Sequence, residues 1–310
     1  IKDNLKTFLS QQDEFTDYNF EGSGMNILLD VLAYNTHYLG YNANMLANEM
    51  YLDSADQRSS VVSLAKQVGY TPRSSTSSQA TIDVVVNNAS GPSLTMSRGT
   101  KFTSTVDGTN YSFVANADVS ISPADGVYKF SNIVIYEGTY LNYKYTANTS
   151  DTDQRFIIPN DDVDTNTLTV KVQESASDST TNTYTLASGV TGIDSTSKVF
   201  FLQEVENGRF EVYFGDGVLG ESIKDGNIVI LDYITCNRDE PNGAQTFTLS
   251  GSVGGFSNVT ITTLGTAAGG DDPETIKSIK YNAPRDYTAQ DRAVTADDYK
   301  VLVKSLYANA

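Results

Sequence analysis

At 310 residues, 39% hydrophobic and 19% charged, the chain is long enough for about two structural units with buried cores and too apolar for general disorder. Its 21 basic and 38 acidic residues leave a net charge of −17, which argues against binding nucleic acid or an anionic membrane, because phosphate contacts need a basic surface. Single copies of cysteine (Cys236) and histidine (His37) leave no internal disulfide framework and no conventional His- or Cys-rich metal site, and no run approaches the ~20 apolar residues of a membrane span.

Three textures follow one another, giving an α+β organisation: a helical region over 1–72, a β-rich region over 73–265 and the start of a second helical region over 266–310. In the first, Met25, Leu28, Leu32, Leu39, Leu46 and Met50 recur at the spacing of one helical face, predicting a long helix over about 24–51 with Ser23 as its N-cap. Ser54-Ala55-Asp56-Gln57 reads as the capping box of a second helix, with Val61, Leu64, Ala65 and Val68 on one face and Gly69 and Pro72 at its end. The run Arg73-Ser74-Ser75-Thr76-Ser77-Ser78 reads as a polar linker.

Alternation in Ile82, Val84 and Val86 predicts a half-buried strand, and further strands are expected over 133–137, 166–173, 198–203, 209–214 and 227–235. Asp107-Gly108, Asp125-Gly126 and Asn207-Gly208 are tight-turn dipeptides that tolerate positive φ. The glycine-rich stretch 265–270 closes the β region. Asp272-Pro273-Glu274 then opens a helix that Pro284 ends, and Thr295-Ala296-Asp297-Asp298 caps another carrying Tyr299, Leu302, Val303 and Leu306. The chain opens at Ile1 and stops in a helix-like segment, which reads as part of a longer protein.

No stretch carries a complete chemical motif. Gly215-Asp216-Gly217-Val218-Leu219-Gly220 has the glycine spacing of a dinucleotide fingerprint, but a β-branched run follows where a helix is needed to hold a pyrophosphate. A turn between antiparallel strands is expected there instead. Asp162-Val163-Asp164-Thr165-Asn166 opens like a calcium loop yet lacks its central glycine and closing glutamate, and reads as a solvated acidic loop. His37 has no partner motif and reads as a hydrogen-bonded structural histidine; Cys236 reads as a buried, inert thiol. No catalytic residue, cofactor or metal is expected. Tyr34, Tyr38, Tyr41 and Tyr51 cluster on or near the long helix, and tyrosine suits interfaces.

Several segments in order carry a resemblance. They are Leu32-Ala33-Tyr34-Asn35-Thr36, Arg58-Ser59-Ser60-Val61-Val62, Gly69-Tyr70-Thr71-Pro72, Arg98-Gly99-Thr100 and Phe214-Gly215-Asp216-Gly217. Gly269-Gly270-Asp271-Asp272-Pro273-Glu274 and Arg292-Ala293-Val294-Thr295-Ala296-Asp297-Asp298-Tyr299 complete the series. Together they resemble the baseplate wedge proteins of T-even-like contractile-tailed phages, within the wider baseplate J-like family. The resemblance implies a non-catalytic virion protein, assembled in the host cytoplasm, that pairs with a second copy and a larger wedge protein. It also implies contacts with neighbouring wedges and sheath-linking baseplate proteins, and a role in passing the contraction signal to the sheath. The expected interface residues are Leu28, Leu32, Tyr38, Leu39, Leu46 and Met50. Two other readings stand beside it: a baseplate-like subunit of a bacterial contractile injection system, and a carbohydrate-binding or hydrolysing tail protein, which needs a cleft with paired carboxylates.

Overall fold

The computed structural model describes residues 1–310 apart from 13, 15–20, 152–153, 188–191, 290–291, 293–294, 297–298, 301–302 and 304–310. The described residues form an α+β fold in two compact units, Ile1–Leu64 and Ala65–Ala310.

The first unit is helical. The short helix α1 (Lys2–Leu9), which its sequence does not announce, packs beside α2 (Gly24–Glu49) and is tied to it by an ion pair between Lys2 and Asp30 at 2.5 Å. As expected, Ser23 caps α2, its hydroxyl accepting the Asn26 N–H at 3.0 Å. The next helix, α3, covers Arg58–Gln67, and Val61 and Ala65 are buried. Its expected capping box does not form. The Ser54 hydroxyl donates backwards to Asn48 O at 2.6 Å, while the Glu49 carboxylate accepts the N–H groups of Asp56 and Gln57 at 2.9 and 3.3 Å. A carboxylate from the end of one helix thus satisfies the orphan donors at the start of the next.

The second unit holds two β bodies. Its strands run β1 (Gln79–Val86), β2 (Leu94–Met96), β3 (Lys101–Val106), β4 (Thr109–Ala115), β5 (Val119–Ile121) and β6 (Tyr128–Glu137). They continue with β7 (Thr139–Thr146), β8 (Phe156–Ile157), β9 (Val163–Gln173), β10 (Thr181–Leu186), β11 (Val199–Glu204), β12 (Phe210–Phe214) and β13 (Ile228–Thr235). Last come β14 (Thr248–Ser250) and β15 (Val259–Ala268). One sheet has the order β14-β3-β4-β6-β1-β15 and the other β7-β13-β9-β10-β11-β12-β8, with β2 and β5 pairing apart. Each large sheet has its own core: Ile82, Phe102, Phe113 and Phe130 in the first, Val170, Val212, Leu231 and Tyr233 in the second. The second body lies wholly between β6 and β14 in the chain, so it is an insertion into the first.

Asp107-Gly108 closes the β3–β4 hairpin with φ of +48° and +84°, and Asp125-Gly126 and Asn207-Gly208 take the same left-handed pair. This is the primed turn whose twist matches the strands it joins. The glycine loop at 215–220 does not join neighbours, since β12 and β13 are four places apart in their sheet. It is a crossing connection, pinned where Gly220 N–H donates to Asp194 O at 3.0 Å and the Asp216 carboxylate accepts from Val218 and Leu219.

The serine run is no solvated linker. Ser74, Ser75, Thr76, Ser77 and Ser78 are all buried. Ser74 Oγ lies 2.8 Å from Thr165 Oγ1, Ser77 N–H donates to Asp164 at 2.9 Å, and Thr76 exchanges backbone bonds with Asp271. Small hydroxyl side chains that loosen a chain in water also make it thin enough to lie buried. Asp164, expected in a solvated loop, is fully buried within β9, where desolvation raises its pKa.

Helix α4 (Ile276–Ala289) starts later than expected, Thr275 Oγ1 accepting Ser278 N–H at 3.3 Å, and it runs through Pro284. Within this helix Arg285 also donates its guanidinium to Tyr281 O at 2.7 Å. Glu274 is buried and takes bonds from Tyr70, Arg73, Ser278 and Asn282, clasping the segments on which the chain enters and leaves the β bodies. Most of the helix expected after Thr295, Leu302 and Leu306 included, lies outside the described residues.

Candidate functional site

Across its 26 residues α2 carries only two formal charges, Asp30 and Glu49, yet only Asn26 and Leu29 are buried. The expected interface residues are open to solvent: Leu28 57%, Leu32 53%, Tyr38 48%, Leu39 64%, Leu46 69% and Met50 67%. Met50 is the C-cap residue. At about 100° per residue, Leu28, Leu32, Leu39 and Leu46 share one face with Met25 and Met50. Tyr38 does not lie on that face.

Tyr38 belongs to a second stripe. Ile27, Val31, Tyr34, Tyr38, Tyr41 and Met45 follow one another at spacings of 4, 3, 4, 3 and 4, a heptad repeat, and every one is exposed. The rings of Tyr34 and Tyr38 sit 4.6 Å apart on it. Asn26, Asp30, His37, Asn44 and Asn48 separate the stripes on one flank, and Asn35, Asn42 and Glu49 on the other. One helix therefore offers two apolar faces. The sequence signal for the second was present from Ile27 onward, masked because tyrosine reads as polar in a simple apolar pattern. Covering the exposed halves of the four leucines is worth roughly 3–6 kcal/mol at 1.5–3 kcal/mol for each fully buried leucine.

The residues with latent chemistry are otherwise engaged. A polar cleft of about 500 Å³ is lined by Glu137, Asp161, Asp162, Cys236 and Asn237 among others. Both Glu137 oxygens accept from Asn237, at 2.9 Å from its backbone and 2.7 Å from its side chain, while Asp162 holds Arg238 at 2.6 Å. Each of these carboxylates is held by a partner of its own, Asp161 by Arg209 at 2.9 Å. Burial pushes the Cys236 thiol up to about 11, leaving it protonated and inert. His37 is exposed beside Tyr38, their rings edge to face at 6.4 Å, rather than held in a structural bond network. Among the described residues no group of three or more His, Cys, Asp or Glu side chains is placed to hold a metal ion.

A family model for the helical domain of gp6-like baseplate wedge proteins matches residues 1–70, the part that holds α1, α2 and α3. A second, for the third domain of the bacteriophage baseplate wedge protein gp6, matches residues 143–242, nearly coincident with the inserted β body. Baseplate wedge protein gp6 of Enterobacteria phage T4 is 29% identical over 339 aligned positions, which take in all of this chain and 50% of that protein. The chain thus spans about half the length of the curated relative it matches. Among solved structures, the cryo-EM baseplate of the anti-feeding prophage aligns with 99% of this chain and 56% of its own, at 11% identity and a TM-score of 0.32, too loose a likeness to carry an argument.

Proposed function

The chain belongs to the gp6-like baseplate wedge family, and on that premise we propose that it is a structural, non-catalytic subunit of a contractile phage tail baseplate, in which α2 is the assembly element. The observation that carries this reading is the pair of apolar stripes left open on an almost uncharged helix. A helix apolar on two faces is stable in water only when neighbours cover both. In a helical bundle the leucine stripe seats one neighbour and the tyrosine stripe another: a second copy of this chain and a larger wedge protein. The β unit, with cores of its own, then serves as a rigid body that these contacts hold in the ring. Rearrangement of contacts between wedges passes the contraction signal outward to the sheath, which requires two packings separated by only a few kcal/mol.

The test is co-expression with the wedge partner. Leu39→Asp with Leu46→Asp is expected to abolish co-purification, while circular dichroism of the β strands stays unchanged. Full complex formation by the double variant would contradict the reading.

A further inference from the structure

We propose that Arg98 latches the two β bodies together, fixing the inserted body against the first in one orientation. The inference concerns the β unit alone and holds whatever covers α2.

The covalent connection between the bodies does not set that orientation. The chain passes from the first body to the inserted one at Gly138 and returns at 236–238. These two crossings run side by side: a Cβ on Gly138 would stand 2.1 Å from Thr235 O, and Glu137 accepts from both the backbone and the side chain of Asn237. Together they make one neck, on which a body can pivot. No apolar core bridges the bodies either, since residues 139–235 supply all of one core and none of the other. Without a shared hydrophobic core, relative motion of two bodies is the expectation unless polar contacts stop it. The serine run makes a second attachment, from Ser74 to Thr165 and from Ser77 to Asp164. Two attachments still leave one axis to turn about.

Arg98 makes the third. It belongs to the first body, between β2 and β3, and is anchored there: its backbone N–H donates to Asp118 at 2.7 Å and its guanidinium to Asn116 Oδ1 at 2.7 Å. From that anchor the same guanidinium reaches three neighbouring strands of the inserted sheet. It donates to Thr167 O of β9 at 3.0 Å, lies 3.7 Å from the Asp232 carboxylate of β13 and sits 4.9 Å from the ring centre of Tyr140 on β7. The Arg98 side chain is 12% exposed and that of Asp232 3%, so water and salt screen this pair far less than a surface one. Gly99 leaves room for the tyrosine ring, since a Cβ there would stand 3.2 Å from Tyr140 Cδ1. A planar guanidinium makes these contacts together, which the point charge of a lysine does not. Asp232 is not left bare without Arg98: Tyr140, Asn142 and Lys171 of its own body donate to it at 2.8, 2.5 and 3.2 Å. Arg98 can therefore be removed without leaving an unpaired carboxylate inside the inserted body.

The test is double electron–electron resonance on the whole chain, with nitroxide labels on Thr105→Cys in β3 and Thr183→Cys in β10, exposed positions one on each body. Cys236 is buried and takes no label. The chain with Arg98 in place is expected to give one narrow distance. Arg98→Met and Arg98→Lys are each expected to broaden or split it, with an unchanged circular dichroism spectrum. Lys171→Met takes the other cation from Asp232 within one body, and is expected to leave the distance narrow. A distribution already broad with Arg98 present, no broadening in the Arg98 variants, or equal broadening from Lys171→Met would overturn the proposal. Should Arg98→Met fail to fold, Arg98→Lys, which keeps the stem and the charge, decides. Loss of the strand signal in both would make Arg98 a folding residue and overturn the proposal as well.

Discussion

Leu231 in β13 is fully buried and Leu39 in α2 is 64% exposed, though both sit in regular elements. In the β unit, apolar side chains point into two closed cores within the chain; in α2 they point out, along two stripes. The difference shows which part of the molecule is complete in itself. The β bodies bury their apolar side chains within the chain, and α2 buries only Asn26 and Leu29. On the function proposed above, neighbouring chains supply the missing cover.

The same substitution made in both places sharpens this contrast most. Leu231→Asp puts an unpaired carboxylate in a core and is expected to cost more than 4 kcal/mol, enough to unfold the β unit, whereas Leu39→Asp should change the stability of the free chain by less than about 1 kcal/mol. Urea unfolding followed by circular dichroism measures both. Equal losses would break the comparison.

Next in size is Gly138→Ala. Gly138 alone joins β6 of one sheet to β7 of the other, at a φ of +129°, and a Cβ there would stand 2.1 Å from Thr235 O. The clash is with backbone and cannot be relieved by a rotamer. A loss on the order of 3 kcal/mol in the β unit is expected from the strained φ and the displaced strand together. Unfolding within 0.5 kcal/mol of the parent would mean that the joint between the bodies is slack.

A smaller effect is written in pH. Burial holds the Asp164 carboxyl above its usual range, against the N–H bonds from Ser77 and Asn166 that favour the ionised form. A carboxyl with a raised folded-state pKa binds its proton more tightly when folded. Its contribution is fully present below the unfolded pKa near 3.9 and is lost as pH rises through the folded value. Asp164→Asn removes that loss. Relative to the parent, the variant should gain stability as pH climbs from about 4 towards neutrality, with no such trend below. A difference in unfolding free energy that is flat with pH would show that Asp164 titrates normally.

The smallest expected change is Ser23→Ala, which removes the α2 cap and should cost about 1 kcal/mol of helix stability, seen as loss of helical signal at the N-terminal end of α2.

What was legible in the sequence follows from range. The bounds of α2, its Ser23 cap and the Asp-Gly and Asn-Gly turns depend on residues within one helical turn or one hairpin, and they stand where expected. What depended on distant partners was not legible. The serine run reads as a linker because its burial depends on Thr165 and Asp271, 91 and 195 residues away in the chain. Asp164 reads as solvated because its partner Ser77 lies on another segment. The α3 capping box was displaced by Glu49, a side-chain choice that a local rule does not weigh, and Pro284 lies inside α4 instead of ending it. At the candidate site the leucine stripe was legible from its period. The tyrosine stripe beside it was not, since three of its six residues are tyrosines.

Hydrogen exchange of α2 measures the central claim most directly. In the free chain the amides of α2 should exchange quickly, as befits a helix with only two buried residues, while those of β9 and β13 exchange slowly. On co-assembly with the wedge partner, α2 should gain protection along its whole length and the strands should stay as they were. If α2 is already as protected as the strands in the free chain, or gains nothing on assembly, its two apolar faces are not where the baseplate contacts form.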